Sequence, residues 1–149
     1  MHPQAPDHRP DSASGSDDRQ APALRLVAWE TTRNCNLNCL HCRAAATRGP
    51  YSGELDTPAA FRLLDQIAEL ARPIVILTGG EPLLRPDIFD IARRGTELGL
   101  RMVMAPNGTL ITETVALQMK AAGIQRISVS LDGSTAETHD RFRGVEGAF

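Results

Sequence analysis

The sequence is poor in several things, and each shortage excludes something. Its three cysteines are an odd number crowded into one short stretch, which does not make a disulfide framework. No apolar run approaches the ~20 residues of a membrane-spanning helix. The N-terminus shows no charged-then-apolar signal peptide. With unpaired cysteines, these features point to the reducing cytoplasm. Net charge is only -2, no basic run is present, and aromatics are limited to one Trp, one Tyr and four Phe. Nucleic acid or a membrane surface as partner therefore has no support. Neither G-x-G-x-x-G nor G-x-x-x-x-G-K-[ST] occurs, so dinucleotide and P-loop readings lack their motif.

What is present begins with Cys35-Asn36-Leu37-Asn38-Cys39-Leu40-His41-Cys42, which holds every cysteine at C-x3-C-x2-C spacing. Clustered thiolates bind iron–sulfur or zinc, and three of them leave a four-coordinate site open. A reactive metal needs such an opening and a structural one avoids it. The alternative is structural zinc with His41 as fourth ligand. His41 directly precedes Cys42, and adjacent side chains diverge, so that geometry is awkward.

Residues 1–22 are rich in Asp, Ser, Pro, Gly and Arg and almost lack large apolar residues. Such a segment cannot offset its ordering entropy and reads as a disordered leader. The core domain is expected over 23–149. Leu24 to Glu30 is a short β-prone run that reads as the first strand, with the cysteines just past its end. Ala44 to Ala46 suggest a helical turn, and residues 47–53 a surface loop. Thr57 as N-cap and Pro58 at the first position open a helix. Phe61, Leu64, Ile67, Ala68 and Ala71 recur on one face of it. Ile74 to Leu77 is an uninterrupted apolar run, the pattern of a parallel strand covered on both faces. Pro86 opens a second helix with Ile88, Phe89, Ile91, Ala92 and Leu98 on its apolar side. Arg101 to Ala105 is a third strand, Glu113 to Ala122 a helix capped by Thr112, and Arg126 to Leu131 a fourth strand. Ser134-Thr135-Ala136-Glu137 fits a capping box opening another helix.

Strands alternating with helices imply βαβ crossovers and a parallel α/β sheet. All strand C-termini then lie on one edge. That edge gathers the cysteines, Gly79-Gly80-Glu81-Pro82, Asn107-Gly108, and Ser130 with Asp132. Paired glycines let backbone approach a ligand closely, and Glu81 could pair with a ligand ammonium. A tight turn and a helix N-terminal charge are the plainer readings of the same residues. Asp132 also reads as a helix cap.

C-x3-C-x2-C after one strand and Gly-Gly-Glu-Pro after the next resemble the radical S-adenosylmethionine (SAM) enzymes. The resemblance runs from about Leu24 to Phe149. It implies a partial (β/α)6-type barrel, here incomplete, and a 4Fe–4S cluster held by Cys35, Cys39 and Cys42. It further implies reductive cleavage of SAM to a 5′-deoxyadenosyl radical that abstracts a substrate hydrogen, with a low-potential electron donor as partner. Gly79, Gly80, Glu81 and Pro82 would cradle the SAM amino group. His41 takes the position that packs near the adenine. Ser130 matches a serine that contacts SAM, and Asn107 is a weaker match. Arg143, in His139-Asp140-Arg141-Phe142-Arg143-Gly144, resembles an arginine that meets the SAM carboxylate.

Residues 28–35, 41–44 and 105–109 are similar to the haem-forming enzymes of the siroheme-dependent pathway (AhbD-type), which decarboxylate propionates of an iron-coproporphyrin. A tetrapyrrole is thus the implied small-molecule substrate. Relatives in peptide maturation and an inactive cluster-binding fragment are the alternatives. The last strands of the family's barrel and its cysteine-rich C-terminal domain have no counterpart here, so the core domain reads as truncated.

Overall fold

The structure is a computed structural model that describes residues 23–149 apart from 47 and 50. The leader expected over 1–22, and parts of the 47–53 loop, lie outside the described residues. Four strands, β1 (Leu26–Thr32), β2 (Ile74–Gly79), β3 (Arg101–Met104) and β4 (Arg126–Ile127), form one sheet in the order β1-β2-β3-β4. Every pairing is parallel. Four α-helices alternate with them: α1 (Thr57–Leu70), α2 (Ile88–Glu97), α3 (Glu113–Ala121) and α4 (Ala136–Arg143). A short 3-10 turn, Pro82–Leu84, follows β2. The α/β repeat read from the sequence is therefore the architecture observed, and a partial barrel fits it.

The core lies on one face of the sheet. Val75 and Leu77 of β2, Met102 and Met104 of β3, Leu64 of α1 and Ile88 and Ile91 of α2 are almost wholly buried there. Alternation along the strand puts these residues on one side. The neighbours Ile74 and Ile76 are only half-buried, so β2 is not sealed on both faces as its apolar run suggests. The opposite face carries Ala28, Glu30 and Thr78 toward a cavity.

Several boundaries differ from those expected, each for a local reason. Asp56, not Thr57, caps α1, accepting from Ala59 N–H at 2.8 Å. Thr57 instead donates its hydroxyl to Asp87 at 2.6 Å. Pro86 stands before α2, which starts at Ile88 after Asp87. Thr135, not Ser134, caps α4. Residues 43 and 44 form a turn and no helix follows at Ala45, which sits at φ 44°. The fourth strand shows the largest change, with two residues in place of the six expected. Ser128 N–H still bonds Met104 C=O, while Ala105 N–H turns to Leu77 C=O. Backbone groups alternate sides along a strand, so Pro106 faces β4. It has no N–H to carry the ladder on.

Arg85, which drew no notice in the sequence, is buried and donates to the carbonyls of Thr31 and Leu55, each at 2.7 Å. It thereby ties the end of β1 to the entry of α1. Replacing Leu77 by Ala empties a site with no solvent exposure. The expected cost is about 2–5 kcal/mol, read as a lowered urea midpoint.

Candidate functional site

The cysteine loop leaves β1 at the C-terminal edge of the sheet. Cys35 is buried, and Cys39 and Cys42 are half-buried. Leu37 and Ala46 lie buried beneath them, with Val145 and Ala148 packed alongside. Among the described residues each sulfur accepts one hydrogen bond: Cys35 from Leu37 N–H at 3.4 Å, Cys42 from Ala46 N–H at 3.3 Å, and Cys39 from the Arg143 guanidinium at 3.5 Å. Burial pushes the Cys35 thiol up, and the Leu37 N–H pulls the other way. Among the described residues, no three His, Cys, Asp or Glu side chains are gathered as a metal ion requires. A zinc site needs all its ligands on one ion, whereas a cluster takes each thiolate on a separate iron. All three thiols line one cavity, where each can serve one iron of a cluster.

Two backbone contacts bind the Gly-Gly-Glu-Pro loop to the foot of the cysteine loop. Gly80 N–H donates to Thr32 C=O at 2.7 Å, and Glu81 N–H to Asn34 C=O at 2.8 Å. A Cβ on Gly79 would run into Thr32 backbone, and one on Gly80 into the carbonyls of Arg33 and Asn34. Gly79 also sits at φ 133°, where side chains are strained. The close approach that these glycines permit is therefore first of all to the chain's own backbone.

Glu81 has no solvent exposure. One of its oxygens accepts from Leu83 N–H at 3.0 Å, which caps the 3-10 turn, and the other from Asn107 N–H at 2.6 Å. Burial pushes its carboxyl above the ordinary value, against the pull of these two donors. Asn107 in turn donates from Nδ2 to Asn36 Oδ1 at 2.8 Å, and Asn36 donates to Thr109 at 2.8 Å. So the loops after β1, β2 and β3 are cross-linked by side chains. Asn36 escaped notice in the sequence, because an Asn between cysteines has no signature of its own.

Helix α4 closes the site from the other side. Its last carbonyls, on Phe142 and Arg143, accept from Leu40 and Asn38 N–H, each at 3.0 Å. Gly144 follows at φ 70°, and a Cβ there would strike the Asn38 carbonyl. A glycine just after a helix was the available signal for that close approach. His41 is exposed and stacks on Phe142 with ring centroids 4.6 Å apart. Arg143 is buried. It donates to the Ser130 carbonyl at 2.9 Å and pairs with Asp132 at 2.7 Å, while its Nε has no partner among the described residues. Asp132 is thus the partner of an arginine rather than a helix cap.

These groups enclose a cavity of about 540 Å³. All three cysteines line it, as do His41, Gly79, Gly80, Asn107, Ser130 and Arg143. Glu81 and Pro82 stand behind the wall, where Glu81 braces two loops. Replacing Glu81 by Ala leaves two part-buried N–H groups without their acceptor. Each orphan costs about 1–3 kcal/mol, so a lowered urea midpoint is the expected outcome.

The profile of the Radical SAM superfamily matches residues 29–148. The AdoMet-dependent heme synthase of Methanosarcina barkeri is 58% identical over 127 residues, which are 85% of this chain and 36% of that protein. The Fe-coproporphyrin III synthase of the same organism is 42% identical over 144 residues, 91% of this chain and 36% of that protein. The chain spans about a third of the length of the curated relatives it matches. The crystal structure of BtrN in complex with AdoMet and 2-DOIA aligns with a TM-score of 0.67 at 25% identity, covering 85% of this chain and 52% of that one. The cysteine spacing, the parallel sheet edge and the extent of the match lead to one conclusion: the chain belongs to the radical SAM superfamily.

Proposed function

We propose that this chain is the cluster- and SAM-binding module of a radical SAM oxidoreductase that acts on a tetrapyrrole in haem biosynthesis, by oxidative decarboxylation of propionates. The observation that carries the reading is the single cavity wall shared by Cys35, Cys39, Cys42, Gly79, Gly80 and Arg143. A 4Fe–4S cluster held there by Cys35, Cys39 and Cys42 would supply one-electron reduction of SAM from a low-potential donor, the chemistry that gives a 5′-deoxyadenosyl radical for hydrogen abstraction from the substrate. Identity of 52–58% to AdoMet-dependent heme synthases supports the tetrapyrrole as substrate class. Three free cysteines support a reducing compartment, the cytoplasm. Among the described residues no helix is long and apolar enough to cross a membrane.

The chain's own residues divide the work. Cys35, Cys39 and Cys42 supply one thiolate each and leave one iron position open. Backbone groups of Gly79 and Gly80 present polar atoms at the cavity wall for the amino group of SAM. The Arg143 Nε, buried at that wall without a partner, is a donor suited to a carboxylate. His41 and Phe142 offer an aromatic stack beside the cysteines for the adenine. Ser130 and Asn107 line the remaining polar wall. The cysteine loop and the apolar residues under it keep water from one side of the site.

Anaerobic reconstitution with iron and sulfide tests the reading. About four iron per chain, with 5′-deoxyadenosine released from SAM under reduction, is the expected result. A cluster without SAM cleavage would reduce the chain to a cluster-binding fragment, and stoichiometric zinc that resists exchange would overturn the reading. In Cys39→Ala the four-iron cluster and SAM cleavage are both expected to be lost; 5′-deoxyadenosine formed by that variant would contradict the ligand assignment. Gly80→Ala pushes a methyl group against the Arg33 and Asn34 carbonyls at a cost of about 1–3 kcal/mol. Iron loading and SAM affinity should therefore fall together, measured as iron per chain and by SAM titration.

A further inference from the structure

The three cysteines are not treated alike. Leu37 and Ala46 give Cys35 and Cys42 neutral backbone N–H groups. Cys39 receives its hydrogen bond from a cation, Nη1 of Arg143, from 104 residues away in sequence. The same turn of α4 holds the backbone on both sides of Cys39, through the Asn38 and Leu40 N–H groups. Donor and acceptor are thus fixed to each other at three points. The guanidinium is itself engaged by Asp132 at 2.7 Å and by the Ser130 carbonyl at 2.9 Å. Arg143 is 5% exposed, so water screens its charge poorly.

We propose that Arg143 is a positioning residue that sets the reduction potential of the 4Fe–4S cluster through its N–H···S contact with Cys39, and that Asp132 moderates its effect. The inference rests on the cluster assignment above. It is separate from any contact between Nε and SAM, because it uses Nη1. The physical reason is charge. Uptake of one electron from the donor adds a negative charge that is shared with the ligating sulfurs. A cationic donor at a thiolate stabilises that form more than a neutral one does, and hydrogen bonds to sulfur are among the factors that set cluster potentials. The Asp132 carboxylate beside the same guanidinium opposes the effect. Arg143 therefore raises the potential and Asp132 lowers it.

The test uses the whole chain, reconstituted anaerobically and without SAM. Iron and sulfide per chain are measured first, then the midpoint potential, by a dithionite titration followed by electron paramagnetic resonance. Arg143→Met should keep its iron and become harder to reduce. The expected shift is about tenfold in the ratio of reduced to oxidised cluster at fixed potential, or about 59 mV for one electron. Asp132→Asn should shift the potential the other way. Both substitutions break the same ion pair, so damage to the fold would move the two in the same direction, whereas the charge effect separates them. A fully loaded Arg143→Met with the wild-type potential overturns the inference. If Arg143→Met does not load, an Asp132→Asn cluster with an unchanged or lower potential overturns it equally. A wild-type chain that assembles no four-iron cluster overturns the proposed function instead.

Discussion

The cysteine loop has almost no regular structure of its own, yet three thiols on it must hold their places. What holds them is backbone hydrogen bonding from two sides. Gly80 and Glu81 N–H reach the carbonyls of Thr32 and Asn34 before the first cysteine. The Phe142 and Arg143 carbonyls receive the N–H groups of Leu40 and Asn38 around the second. Both contacts demand that a side chain be absent, at Gly79 and Gly80 on one side and at Gly144 on the other. Backbone-to-backbone approach of this kind tolerates no Cβ, so the loop depends on three glycines as much as on three cysteines.

A layered site follows from that constraint. The cavity wall carries the cysteines, the two glycines, Asn107, Ser130 and Arg143. Behind it, Glu81 ties the β2 exit to the β3 exit, and Asn36 ties the cysteine loop to Asn107. Arg85 then anchors the end of β1 to the start of α1. The groups behind the wall are buried or hydrogen-bonded to protein, which suits holding a shape. On the wall itself the imidazole of His41 is exposed, and the Nε of Arg143 has no partner among the described residues.

Much of this was legible before any coordinates. The order of strands and helices follows from apolar periodicity, and a parallel sheet brings loops distant in sequence to one edge. The cysteine spacing alone singles out the stretch on which the site is built. Less legible were the ends of elements. One example is the fourth strand, which stops early because Pro106 presents no N–H toward it. Another is the cap of α1, where Asp56 takes the place expected of Thr57 because the Thr57 hydroxyl is drawn to Asp87. In each case a contact between distant segments outweighs a local preference.

Composition and pattern by themselves determine the class of the chain and the parallel alternation of its strands and helices, because spacing and periodicity are local properties. Only the folded chain decides what the letters of a motif do. Glu81 sits in the same four-residue motif as Gly79 and Gly80, yet it braces loops from behind while the glycines line the cavity. Asp132 reads as a cap and proves to be an ion-pair partner. Arg143 reads as a ligand contact and also reaches a cysteine sulfur. These roles depend on which groups lie within about 3 Å of one another, and that distance is set by packing across segments a hundred residues apart.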